Sequence, residues 1–131
     1  MPKSPFPEEF ADLLDGRVLA HAATVDAHGA PQVNPVWFLR EGDRILIGVR
    51  EATAKYRNLQ SNPAIAISIL DPGNPFRYLE LRGTIVEFHF YDDLSFVNRL
   101  AQKYTGKDYP PETKGESRYR LTMDVTSWTS H

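Results

Sequence analysis

With 131 residues, 41% of them hydrophobic and 24% charged, the chain (1–131) has the length of one domain and an ordinary globular composition. A net charge of -2 and a pI near 6.1 give no basic field for nucleic acid. The absence of cysteine excludes disulfides, thiolate metal sites and cysteine nucleophiles, and accords with a cytoplasmic setting. Met1 to Glu9, with three prolines and two glutamates, lacks the apolar core of a signal peptide. No apolar run approaches the ~20 residues of a membrane helix, so no membrane partner is expected.

In chain order, Phe6, Phe10, Leu13 and Leu14 fall on one face of a short helix that Gly16 ends. Val18 to Val25 reads as a strand, Asp26-Ala27-His28-Gly29 as a hairpin turn, and Gln32 to Leu39 as a second strand. Glu41-Gly42-Asp43 turns the chain into a third strand, Arg44 to Val49, where Ile45, Ile47 and Val49 alternate. A helix over Thr53 to Ser61 stops at Asn62-Pro63. Ala64 to Leu70 is a strand with Ile65, Ile67 and Ile69 on one face. Asp71 to Pro75 is a loop, and Tyr78 to Phe90 a long strand in which Gly83 marks a bend or bulge. Asp92 caps a helix over about Asp93 to Tyr104, with Phe96, Val97, Leu100 and Tyr104 on its apolar face and Gly106 at its end. A polar loop, Lys107 to Gly115, precedes a last strand, Arg118 to Thr126. About six strands and three short helices, joined largely by hairpins, predict a mainly β (α+β) antiparallel barrel.

Two segments carry candidate chemistry. At Thr53-Ala54-Lys55-Tyr56-Arg57-Asn58-Leu59 a helix begins, so free backbone N–H groups and the positive end of the dipole point outward. The Thr53 hydroxyl, the Lys55 ammonium and the Arg57 guanidinium sit near that end and together suit a phosphate. A capped surface helix with solvated charges accounts for the same pattern. Lys55 and Arg57 stand about 200° apart around the helix, whereas Tyr56 and Leu59 can pack inward. In Gln32 to Phe38, Pro35 cannot donate to a ladder, which predicts an edge or irregular strand. Gln32, Asn34 and Val36 share a face by period two and offer amides and apolar cover to a planar ring. A polar outer face with Trp37 in the core explains these residues equally well. The histidines, His21, His28, His89 and His131, are dispersed, and HExxH, GxSxG and GxGxxG patterns are absent, so no protein-built metal site is expected.

The series Leu19-Ala20-His21-Ala22-Ala23-Thr24-Val25, His28-Gly29-Ala30-Pro31-Gln32, Pro35-Val36-Trp37-Phe38 and Lys55-Tyr56-Arg57-Asn58-Leu59 with Asn62-Pro63 resembles the pyridoxamine 5'-phosphate oxidase-like FMN-binding split-barrel superfamily. It is most similar to the flavin/deazaflavin (coenzyme F420-dependent) oxidoreductase branch. Asn74-Pro75-Phe76-Arg77-Tyr78, Leu81-Arg82-Gly83 and Lys103-Tyr104-Thr105-Gly106 extend the match over most of residues 10–128.

The resemblance implies a split β-barrel and a homodimer with two cofactor sites at the subunit interface. It assigns Lys55, with Thr53 and Arg57, to the cofactor phosphate. It assigns Gln32, Asn34, Pro35, Val36 and Trp37 to the ring system. It brings Arg77, Tyr78 and Trp128 near the site from the partner subunit. The richer arginine and lysine set of the true pyridoxamine phosphate oxidases is missing, which argues against that substrate. Some relatives carry an arginine where Thr53 stands, so the choice between FMN and coenzyme F420 stays open. The implied activity is hydride transfer from the cofactor to a small conjugated redox substrate. No paired carboxylates, cysteine or histidine cluster can be placed beside the ring site, so no side-chain acid or base is expected to be obligatory, with the Tyr78 hydroxyl as the alternative proton donor to water. The alternatives are a flavin-binding protein without turnover, a heme-binding split barrel in which His21 or His89 would matter, and a dimeric scaffold.

Overall fold

The computed structural model describes residues 6–51, 53–91, 93–110 and 118–131. Alternation of large apolar residues commits one face of each strand to the interior. Ile65, Ile67 and Ile69 are at most 4% exposed. Ile45 and Ile47 lie opposite Met123 and Leu121, and all four are fully buried. The strands are β1 (Ala20–Val25), β2 (Pro31–Val36), β3 (Phe38–Glu41), β4 (Arg44–Arg50), β5 (Ala64–Leu70), β6 (Tyr78–Tyr91) and β7 (Arg118–Ser130). They form one seven-stranded sheet in the order β2-β1-β5-β6-β7-β4-β3, antiparallel throughout.

The sequence led us to expect six strands in a barrel, with a single strand over Gln32 to Leu39. That stretch is instead two strands with Trp37 between them, and they occupy opposite edges of the sheet. Pro35 is tolerated because β2 pairs with β1 alone, so no second neighbour asks for its missing N–H. Since Val36 and Phe38 are two residues apart, the edges can be no more than about 7 Å from each other there. The sheet therefore curls on itself, but β2 and β3 share no ladder, and the barrel is left split along this seam.

A 3-10 turn (Glu8–Phe10) and α1 (Ala11–Asp15) hold Phe6, Phe10, Leu13 and Leu14 in the core. Arg77 pins this segment to the β5–β6 loop. Its guanidinium bonds Asp12, Asp71 and the Glu9 carbonyl at 2.8–3.0 Å and lies 4.7 Å from the Phe10 ring centroid. Helix α2 (Ala54–Ser61) starts at Thr53, whose Oγ1 accepts the Tyr56 N–H at 3.3 Å. Helix α3 (Ser95–Thr105) starts beside Asp93, whose carboxylate accepts the Ser95 N–H at 2.9 Å, and ends at Gly106 in the left-handed region (φ 74°). Asp92, the expected cap, lies outside the described residues. So does most of the expected loop, of which 107–110 are described. Helix α3 approaches β4 closely at Gly48, where a Cβ would stand 3.2 Å from Leu100 Cδ1. The bend or bulge expected at Gly83 is a shift in the β6–β7 register between Arg82 and Gly83. No helix among the described residues is long and apolar enough to cross a membrane.

Candidate functional site

A cavity of about 530 Å³ opens between the seam, the end of β4, the start of α2 and the apolar face of α3. Asn34, Pro35, Val36, Trp37, Thr53 and Lys55 all line it, so the structure brings together the two segments singled out by sequence.

Lys55 is the unusual member. It is 8% exposed and makes no hydrogen bond or ion pair with any described residue. Burial lowers its pKa to about 8, with nothing nearby to offset the loss of water. An ammonium held in this way is a strong attractor for an anion. The Ala54 and Lys55 N–H groups lie in the first turn of α2 and have no intrahelical acceptor. Thr53 lines the cavity and also caps the helix. Its hydroxyl proton goes to the Arg50 carbonyl at 2.8 Å while its oxygen caps Tyr56, so the group is already engaged at the helix start. Arg50 and Arg118, opposite each other across β4 and β7, also line the cavity, and Asp93 is the one acidic residue among the described residues that line it.

One wall of the cavity comes from the seam. Trp37 stacks on Tyr104 with centroids 5.1 Å apart and planes 7° apart, and Tyr109 meets it edge-on at 6.3 Å. Phe96 and Leu100 of α3 form the facing wall. Tyr119 completes the cavity. Its hydroxyl hydrogen-bonds Tyr56, and this bond together with burial pushes its pKa up to about 12. Such a phenol holds its proton tightly. No histidine lines the cavity. Among the described residues no group of three or more His, Cys, Asp or Glu could hold a metal ion.

Other sequence-predicted residues fall elsewhere in the single chain. Gln32 lies one step down β2, where its Oε1 accepts from Asn58 Nδ2 at 3.3 Å. Arg57 is exposed on the opposite side of α2 from Lys55. Arg77 is committed to its carboxylates. Tyr78 and Trp128 are on the outside, with Trp128 41% exposed. Sequence reasoning missed Gly48, Tyr109, Tyr119 and the α3 wall. Gly48 was the available signal, because a glycine inside an alternating strand marks a close approach. Tyr109 and Tyr119 carry no such signal.

The profile of the pyridoxamine 5'-phosphate oxidase family matches residues 6–129. The chain belongs to this family. Among solved structures, an F420 reductase is 34% identical with a TM-score of 0.82, the match covering 95% of this chain and 98% of that one. HupZ of Group A Streptococcus (19%, TM-score 0.67, 95% and 93% covered) shares the fold. So does General Stress Protein 26 of Bacillus anthracis (12%, TM-score 0.65, 94% and 91% covered). The fold is thus the flavin-binding, oxidoreductase-like split barrel of that family, here with seven strands.

Proposed function

We propose that the protein is an oxidoreductase that uses coenzyme F420 or FMN to transfer a hydride to a small conjugated acceptor. The observation that carries this reading is the buried, unpartnered Lys55 ammonium in a cavity walled by Trp37 and Asn34. The 34% identity to an F420 reductase supports the deazaflavin over FMN. Lys55 and the first amides of α2 hold the cofactor phosphate, and Thr53 keeps those amides in place. Asn34 faces the polar edge of the ring, with Val36, Pro35 and Trp37 against its apolar surface and Gln32 next along β2, held by Asn58. Arg57 guides the anion from outside.

The bound cofactor supplies the hydride; the protein orients the two reactants and excludes water from the cavity. Water at the mouth of the cavity delivers the matching proton. The protein acts as a homodimer, with Tyr78 and Trp128 covering the partner's site and Arg77 behind them. Titration with FMN and with coenzyme F420 tests the reading. Lys55→Ala should weaken binding about tenfold or more, and Arg57→Ala should weaken it less. An unchanged dissociation constant in Lys55→Ala, or full activity in cofactor-free protein, refutes the assignment. Sedimentation of cofactor-loaded protein as a monomer at micromolar concentration refutes the shared site.

A further inference from the structure

The residue that joins the two edges of the sheet has no ladder to hold it. Trp37 lies between β2 and β3, where neither strand pairs with the other. Its backbone and rotamer must be fixed by something else, and α3 does so. The Tyr104 hydroxyl donates to the Val18 carbonyl at 2.9 Å and accepts the Phe38 N–H at 3.3 Å. Next to it, Lys103 Nζ donates to the Phe38 carbonyl at 2.8 Å and to the Leu14 carbonyl at 3.2 Å. The first residue after the seam is thus gripped at both its N–H and its C=O. The Tyr104 ring lies flat against Trp37. Trp37 lines the cavity and Tyr104 does not.

We propose that Tyr104 is a positioning residue that sets the Trp37 ring as a fixed wall against which the planar ring of the bound cofactor packs. This rests on the flavin or deazaflavin reading of the cavity. Because Tyr104 stands behind Trp37, its effect on binding passes through that ring. A core contact with no such role would change stability and leave the affinity of the folded protein alone.

The test uses the full chain with both tryptophans present, and FMN and coenzyme F420 binding is read from the cofactor's own emission, well below the unfolding midpoint; a separate Trp128→Phe series serves only to report Trp37 emission without cofactor. Tyr104→Leu removes the flat ring. It should shift Trp37 emission to the red and weaken binding about three- to tenfold, the worth of one aromatic pair. Tyr104→Phe keeps the stack and loses the hydroxyl bonds. It should unfold at lower temperature yet bind within about twofold of the parent. Tyr104→Met, which fills similar volume without a flat ring, should follow the leucine variant. Lys55→Ala is run alongside. If it weakens binding while folded Tyr104→Leu and Tyr104→Met stay within about twofold of the parent, the positioning role alone is overturned. If Lys55→Ala also binds like the parent, the reading of the cavity falls, and the positioning role falls with it.

Discussion

Lys55→Met should make the protein without ligand more stable while weakening its hold on an anion. The charged ammonium is 8% exposed and has no described partner, and its pKa falls from 10.5 to about 8. That fall corresponds to about 3 kcal/mol of penalty on the charged form. Methionine is nearly the same length and carries no charge, so near neutral pH the variant should gain about 1–3 kcal/mol. The sign of the pH effect follows from proton counting. Between about 8 and 10.5 the unfolded chain holds a proton that the folded chain has released, so the parent's stability rises with pH across this window. Below about 8 the penalty is fully present. The advantage of Lys55→Met should therefore be largest near neutrality and shrink toward pH 10.5. Burial lowers Lys103 to about 8 as well, but Lys103 is present in both proteins and cancels in the difference. Urea unfolding of both proteins at several pH values measures it. Anion binding by the parent should be constant below about pH 8 and weaken above it. A stability difference that does not change with pH, or a methionine variant less stable than the parent at neutrality, refutes the reasoning.

Gly83→Ala should destabilise by about 1–3 kcal/mol or more, because its Cβ would stand 1.9 Å from the Asp124 carbonyl oxygen, within the β6–β7 ladder; the urea midpoint reads this. Arg77→Ala should flatten the loss of stability in acid. Arg77 holds the Asp12 carboxyl below 3.8, and with the Gly73 N–H it does the same for Asp71. Depressed carboxylates stabilise the fold at higher pH and lose that contribution as pH drops through their folded pKa, so unfolding temperature against pH should fall less steeply in the variant. Alanine at His21, His28 or His89 should each lower turnover about tenfold or less, well short of the 10²–10⁴ of a general acid. A thousandfold loss with cofactor binding intact would falsify the proton route through water.

The sequence reading recovered most of the strand and helix positions because each was written in a short period. Ile65, Ile67 and Ile69 alternate, Phe96 and Leu100 recur at helical spacing, and Asn62-Pro63 stops α2. It failed at Trp37, where alternation continues smoothly through a break. Period two reports which face a residue takes and says nothing about which strand it pairs with. Pro35 did signal an edge, and β2 is one. In the site, Lys55 and the Asn34–Trp37 wall could be found because helix starts and strand prolines have local causes. Tyr109 and Tyr119 could not, since they reach the cavity through contacts far apart in the chain. The Thr53 hydroxyl at the same helix start also serves the cap, which the sequence signals through its place before the helix.

The seam at Trp37 also sets an order of assembly. The hairpins β1–β2 and β3–β4 are neighbours in the chain, yet they attach to opposite edges of the β5–β6–β7 meander. The second attachment pairs Arg44–Arg50 with Arg118–Asp124, so the β3–β4 hairpin has no strand to join in the rest of the sheet until the end of the chain has been made. On the ribosome Trp37 and Lys55 exist long before Tyr119, the last of the cavity's walls to be synthesised. The apolar faces of Ile45 and Ile47 must stay uncovered for that interval, a non-local closure of the kind that slows folding and exposes a chain to aggregation. Enclosure of the cavity is therefore a property of the finished chain, and a nascent or truncated form without β7 has the helix start proposed to hold the anion but no enclosure around it.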